Sequence, residues 1–362
     1  MIRPCEADAA AQSFQAAGEF LGAAPFGSGH INDSYRVVFR EGGSNRSYLL
    51  QRINTRVFTD PAALMQNVER VTSHIARQVA EAPDHDRRVL ALIPSKDDRS
   101  FYMEANGGCW RMMPFIEGAQ TLDRIEFPHQ AFHIAAAFGR FQQQLASLPA
   151  PQLNDTIPDF HNTAKRFEAL EKTIESDDAN RVQFAGSEIA SAIARKAMTS
   201  VLLEADLPER IAHNDTKSSN VLLDDVTGEG LCVIDLDTVM PGLALYDFGD
   251  MVRSMASSAA EDERDLSRIE LQFPVFEALV RGYLETAGGL LAAREKQFLA
   301  FSGKLITFEN GLRFLSDYLS GDIYYKVHRE GHNLDRCRAQ FKLVESIERQ
   351  EGRMNGLVET LT

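Results

Sequence analysis

Four side chains able to do chemistry crowd into residues 211–225, IAHNDTKSSNVLLDD: His213, Asp215, Lys217 and Asn220, set directly before the apolar run Val221, Leu222, Leu223. Asp215 and Asn220 are five apart, and Asp235 and Asp237 follow in VIDLD. The runs NVLLD and LCVIDLD, separated by the turn DVTGEG, read as a hairpin, which sets the start of one strand beside the end of the next. Strand ends hold a side chain still while leaving it open to a ligand. Asp215, Asn220 and Asp235 are therefore expected to converge. Hard oxygen donors in this number suit Mg²⁺, which takes a few carboxylates and completes its shell with phosphates and water. The plainer alternative is that these residues cap turns and helices, but caps seldom form so ordered a set.

The elements around this segment predict an α+β chain of two lobes. Residues 6–21 read as a short helix. SYRVVF and SYLLQRI, separated by REGGSN, read as a hairpin. Residues 60–80 open on Asp-Pro and carry apolar residues at helical spacing. VLALIPS and SFYMEA then read as strands, followed by CWRMMPFIEG. From about residue 128 the pattern is helical, including 187–205 and a polar helix over 333–357, and only the 211–240 hairpin interrupts it. The expected division is an N-terminal sheet-rich lobe over residues 1–117 and a helical lobe over 118–362.

Bulk properties narrow the partners. The chain has 362 residues and a formal net charge of −14. Phosphate backbones need Lys and Arg, so nucleic acid is not an expected partner, and an anionic membrane surface is disfavoured on the same ground. Cys5, Cys109, Cys232 and Cys337 are far apart, with no C-x-x-C spacing. They read as buried or incidental thiols in a reducing compartment. No run of about 18 apolar residues is present, and MIRPCEADAAAQSF lacks the apolar centre of a signal peptide. The expected location is the cytoplasm. Nothing in the sequence speaks to oligomeric state.

The base–metal order matches the layout of protein kinases, in which a base Asp is followed five residues on by an Asn and later by a second metal Asp. H-R-D-x-x-x-x-N there reads H-N-D-T-K-S-S-N here. HNDTKSSNVLLDD with VIDLDTVMPGLALYDFGD resembles the aminoglycoside phosphotransferase-like family of small-molecule kinases, which shares the two-lobed protein-kinase fold. GSGHINDSY (27–35), YLLQRINTRVFTDPAALMQN (48–67), DLDTVMPGLALYDFGD (235–250) and the block 311–348 resemble one branch of it, the N-acetylhexosamine 1-kinases.

The resemblance implies ATP as phosphoryl donor, Mg²⁺, and a small sugar as acceptor. Asp215 would be the catalytic base, and Asn220 and Asp235 metal ligands. Asp237 would be a further ligand or an orienter of the others. Lys217 would contact the γ-phosphate, or be a solvated charge. No Lys precedes Lys96, so Arg52 is the candidate phosphate cation in place of the usual strand Lys, with Glu69 on the following helix as its partner. Met113, Pro114 and Phe115 suit an adenine slot between the lobes, and equally a buried connection. Gly27 and Gly29 permit a tight turn; there the resemblance places His30 and Asp33 on sugar hydroxyls. Arg313 and Tyr324 match positions that line the sugar site, while Phe314, Leu315 and Tyr318 fall at core spacing. The alternatives are a kinase of the same fold with another acceptor (an amino alcohol, homoserine or an aminoglycoside) and a nucleotide-binding regulator without catalysis.

Overall fold

The computed structural model describes residues 4–27 and 31–362. Helix α1 (Pro4–Ala11) is followed by strands β1 (Glu19–Pro25), β2 (Asp33–Glu41) and β3 (Ser44–Ile53), helix α2 (Pro61–Val79), and strands β4 (Tyr102–Met103) and β5 (Cys109–Pro114). The five strands form one antiparallel sheet in the order β1-β2-β3-β5-β4. Strand side chains alternate between faces. Tyr48, Leu50, Trp110 and Met112 therefore pack on Ala7, Ala10 and Phe14 on the α1 side. Ile53 and Cys109 pack with Leu64, Met65 and Val68 of α2 on the other, where Leu236 and Val239 join them. Asp60 caps α2 by accepting the Ala63 N–H at 3.0 Å, and Pro61 stands in its first turn, a cap worth about 1 kcal/mol.

The remaining chain is helical around two small sheets. Its elements are β6 (Ala119–Gln120), α3 (Pro128–Leu145), α4 (Thr163–Ser176), α5 (Gly186–Ala194), β7 (Arg210–Ala212), β8 (Val221–Asp224), β9 (Gly230–Val233), β10 (Met240–Gly242), α6 (Ala244–Met255), α7 (Phe273–Ala287), α8 (Ala293–Gln297), α9 (Leu299–Leu319) and α10 (His332–Leu361). Strands β6-β8-β9 form one sheet and β10-β7 another. The larger core joins α3, α6, α7, α9 and α10 through residues such as Phe138, Phe248, Phe276 and Ile306. Helices α6 and α9 come unusually close at two glycines: a Cβ on Gly249 would lie 2.5 Å from the Ser302 carbonyl oxygen, and one on Gly303 2.7 Å from Val252 Cγ1. Among the described residues, no helix is long and apolar enough to cross a membrane.

The sheet-rich N-terminal region and helical C-terminal region are those expected from the sequence, but three elements differ. The helix expected over 6–21 ends at Ala11, and the chain turns into β1. Gly18 makes this possible: its φ is +100°, and a Cβ there would lie 2.2 Å from the Arg40 carbonyl oxygen. Residues 89–95 form no regular strand, although the Ile93 N–H still donates to the Met112 carbonyl at 2.8 Å. The helix expected over 187–205 stops at Ala194. Ile189 and Ala192 belong to one core and Leu202 to the other, and a break lets one segment serve both.

Candidate active site

The loop from β7 to β8 carries Asp215, and its backbone is fixed from three directions. Asp247, fully buried in the first turn of α6, accepts the His213 N–H at 3.0 Å, the Asn214 N–H at 2.8 Å and the Gln142 amide at 2.6 Å. Its own carbonyl accepts the Thr216 hydroxyl at 2.6 Å. Asn214 is in the left-handed region, φ +65°, and its amide donates to the carbonyls of Ala212 (3.2 Å) and Thr238 (2.8 Å). His213 packs edge-on against Phe138 and Phe141. Its Nδ1 accepts the Asp215 N–H at 3.3 Å, which leaves Nε2–H to donate to the Ile234 carbonyl at 3.0 Å. His213 is thus a brace between the two strands of the hairpin. Asp247 was not anticipated from the sequence.

Asp215, Lys217, Asn220 and Asp235 come together as the hairpin predicts. Lys217 Nζ donates to Asp215 Oδ2 at 2.7 Å, and the Asn220 amide donates to the same oxygen at 2.9 Å. Burial pushes the Asp215 carboxyl up, but the Lys217 ammonium, with smaller help from Arg253, outweighs it and holds the group at about 2. The residue is therefore ionised at neutral pH. Asn220 spends its N–H₂ on Asp215, which leaves its carbonyl oxygen open. Asp235, φ +60°, has no hydrogen-bond partner for its carboxylate among the described residues. Burial, then the charges of Asp237 and Asp215, raise its pKa. A carboxylate in that position favours a cation beside it. The donor set fits Mg²⁺, which needs only one or two protein oxygens when phosphates supply the rest. Among the described residues no three His, Cys, Asp or Glu form a closed metal cage.

Asp237 is differently placed. It is buried, forms an ion pair with Arg111 of β5, and accepts the Asn32 amide at 2.6 Å. Both carboxylate oxygens are therefore engaged, which suits an orienter rather than a direct ligand. Arg111 also donates to Gln51 Oε1 at 2.9 Å, and the Gln51 amide donates to Ser34 Oγ at 3.0 Å. The sheet thus presents Ser34, Gln51 and Arg111 on the face that meets Asp237.

Three expectations change on this sheet. Arg52, one residue after Gln51, falls on the opposite face: its guanidinium lies 5.8 Å from the Trp110 ring and 3.9 Å from Glu6 of α1. Glu69 is exposed on α2 and forms no ion pair among the described residues, so Arg52 and Glu69 do not meet. Register decides this, because neighbours along a strand point to opposite faces. The register puts Arg36 and Arg111 on the inner face, and Arg111, which the sequence hides inside the apolar run CWRMMP, is the one paired with Asp237; its alternation with Cys109 and Met113 was the available signal. Asp33 pairs across the strands with Arg52 and so shares its face. Its neighbour Asn32 is the residue that reaches Asp237. His30 lies outside the described residues.

At the junction of the lobes Met113 is buried and Pro114 and Phe115 are partly so. Phe115 meets Phe26 edge-on at 5.1 Å, and the Arg36 guanidinium lies 4.5 Å from its ring. An apolar pair flanks this connection, as an adenine slot requires.

On the other side of Asp215, His161 links the loop to α9. Its Nε2 lies 3.1 Å from the Asn214 carbonyl and its Nδ1 2.8 Å from Glu309 Oε1; Thr163 donates to Glu309 Oε2 at 2.6 Å. Arg313 is one turn further along α9. Its guanidinium sits 5.1 Å from the Phe160 ring and 5.8 Å from Tyr325. Arg166 shares the Phe160 ring at 6.0 Å and donates to the Phe160 carbonyl at 2.8 Å and 3.2 Å. Burial, then Arg313, lower the pKa of Arg166. Asp317 shapes the loop after α9 by accepting the N–H groups of Ile323, Tyr324 and Tyr325 at 2.8–3.0 Å. Tyr324 is 55 % exposed with its ring 4.8 Å from Tyr325. Arg313 and Tyr324 thus both lie against Tyr325.

A braced Asp and Asn before a β-hairpin, a second Asp after it, and a buried Arg from an antiparallel sheet define a kinase-like phosphotransferase site. A sequence model of the phosphotransferase enzyme family matches residues 22–293, and the chain belongs to that family. Solved structures of the same fold are distant in sequence. A microcompartment-associated aminopropanol kinase is 16% identical, with a TM-score of 0.58 over 97% of this chain and 98% of that one. An aminoglycoside phosphotransferase from Alicyclobacillus acidocaldarius is 12% identical, with a TM-score of 0.62 over 99% and 97%. A spectinomycin phosphotransferase in complex with ADP and spectinomycin is 12% identical, with a TM-score of 0.58 over 91% and 93%. The chain is an α+β protein of the protein-kinase-like fold and a member of the phosphotransferase enzyme family.

Proposed function

We propose that this enzyme transfers the γ-phosphoryl group of ATP to the anomeric hydroxyl of an N-acetylhexosamine, giving the sugar 1-phosphate. Asp215 accepts or orients the proton of the attacking hydroxyl; as an ionised, weakly basic group it works mainly by positioning. An anomeric hydroxyl is more acidic than an ordinary alcohol, so a weak base suffices. Asn220 and Asp235 hold Mg²⁺, with Asp237 orienting them from its pair with Arg111. A Mg²⁺ held by Asn220 and Asp235 would supply positive charge against the charge that develops on the group in transit. Arg111 faces the phosphates from the sheet, Lys217 reaches the γ-phosphate from its place beside Asp215, and Met113, Pro114 and Phe115 border the adenine. Arg313 and Tyr324 face the sugar.

One observation carries the choice of acceptor. Each carboxylate at the acceptor end has a partner: Asp215 has Lys217, Asp250 and Glu261 have Arg253, and Glu309 has His161 and Thr163. Arg166 and Arg313 have no carboxylate partner among the described residues. Unpaired guanidinium groups favour acceptors rich in oxygen, such as hydroxyls and an acyl carbonyl. They oppose the ammonium of an amino alcohol or an aminoglycoside, which needs free carboxylates.

ADP release with Mg-ATP, across N-acetylglucosamine, N-acetylgalactosamine, glucose, ethanolamine, aminopropanol, homoserine and one aminoglycoside, tests this directly. The N-acetylhexosamines should show the highest kcat/KM. Turnover confined to an amine-bearing acceptor refutes the sugar assignment while leaving the kinase core intact. ATP binding with no transfer to any acceptor supports the regulator instead.

A further inference from the structure

Helix α6 carries three charged residues at three-residue steps: Asp247, Asp250 and Arg253. Residues so spaced line one face of a helix. Asp247 pins that face to the Asp215 loop, so Asp250 and Arg253 run from it along the acceptor side. Arg253 is fixed at two of its three nitrogens: Nε donates to Asp250 Oδ1 at 2.7 Å and Nη1 to Glu261 Oε1 at 3.1 Å. Nη2 has no acceptor among the described residues. Glu261 also accepts the Asn310 amide of α9 at 3.3 Å, and Arg313 lies three residues beyond Asn310. The Asp250–Arg253–Glu261 group therefore spans from α6 to the helix that bears Arg313. Asp250 is buried, and its Oδ2 has no hydrogen-bond donor. A buried carboxylate oxygen left without a partner is expensive and marks the pair as more than a surface clasp.

We propose that Arg253 is an acceptor-specificity residue whose Nη2 donates to an acceptor oxygen beside the attacking hydroxyl, with Asp250 as its positioning residue. The assignment rests on the sugar-kinase reading for the identity of that oxygen, the acyl carbonyl of the N-acetyl group on the carbon next to the reacting one. A two-point hold from α6 and α9, by Arg253 and Arg313, fixes the sugar ring against rotation about the bond that Asp215 addresses. An ammonium on the carbon next to the reacting one would lie against the Arg253 guanidinium. Glucosamine, which differs from N-acetylglucosamine by having an amine where the other has an acylamide, should therefore be a poor acceptor.

The test is a KM split on the full-length enzyme. Arg253→Met should raise the acceptor KM at least tenfold, keep the ATP KM within twofold, and narrow the preference for N-acetylglucosamine over glucosamine. Asp250→Asn keeps the guanidinium but loosens its aim, and should move the acceptor KM the same way by a smaller factor. If Arg253→Met does not fold, Arg253→Lys, which keeps the charge without the planar fork, carries the same comparison. An unchanged acceptor KM, a parallel rise in both KM values, or an unaltered preference against glucosamine overturns the assignment. If the wild type turns over no sugar, the sugar reading fails on its own, and the same KM split on whichever acceptor is used decides the role of Arg253.

Discussion

Asp247 Oδ1 accepts the backbone N–H of Asn214 at 2.8 Å, one residue before Asp215. A buried carboxylate from α6 thereby sets the path of the loop that carries Asp215, the proposed base, and holds it against the left-handed Asn214.

Asp247→Ala removes the acceptor of two buried N–H groups and of the Gln142 amide. Each orphaned donor costs about 1–3 kcal/mol, so a loss of about 3–5 kcal/mol is expected in urea unfolding, with kcat falling further than stability alone explains. A variant with an unchanged unfolding midpoint would show that the loop holds its shape without α6.

Arg111 and Arg52 separate cleanly. Arg111→Met leaves Asp237 buried without its cation, a defect worth about 3–5 kcal/mol, and should raise the ATP KM at least tenfold. Arg52→Met, on the α1 face, should change the ATP KM less than twofold. Steady-state kinetics of the two variants decides which arginine serves the nucleotide.

Close packing of α6 on α9 sets the distance between the acceptor-side residues of the two helices. Gly249→Ala pushes a methyl to 2.5 Å from the Ser302 carbonyl oxygen. Overpacking of this kind costs about 1–3 kcal/mol. The melting temperature should fall, and the acceptor KM should rise as Arg253 and Arg313 move apart.

Asp262 fastens the loop after α6 to the start of α10 by accepting Arg329 at 3.0 Å and lying 3.1 Å from His332 Nε2. The Arg329 hydrogen bond holds the carboxyl below its usual range, against a smaller effect of burial and with help from His332. A lowered folded pKa means that the contribution is complete above the unfolded value of about 4 and fades as pH falls below it. Melting temperatures of wild type and Asp262→Asn should differ at pH 7 and converge toward pH 3. A constant difference across that range would mean that ionisation of Asp262 is not what fastens the loop.

The convergence of Asp215, Asn220 and Asp235 was legible because it is local. Asp215 and Asn220 are five residues apart, and a short hairpin returns Asp235 to them, so spacing alone foretells their meeting. Arg111 and Asp237 are 126 residues apart, and no local pattern links a cation in CWRMMP to an acid after β9. Asp247 stands 33 residues from the amide it accepts and reads in sequence as one more first-turn acid. The choice of Arg52 as the phosphate cation failed on parity, since neighbours along a strand point to opposite faces and Arg52 stands on the face that meets α1. The early helix was overextended because the chain leaves it after Ala11 to reach β1, and the tight approach of Gly18 to Arg40 at that entry exists only once the strands have paired.

The most direct test of the account is where the phosphate goes. The enzyme would be run to completion on N-acetylglucosamine with Mg-ATP and the product read by ³¹P and ¹H NMR. A phosphorus signal coupled to the anomeric proton is the predicted result. Phosphate on C3, C4 or C6, or no sugar phosphate at all, would contradict it.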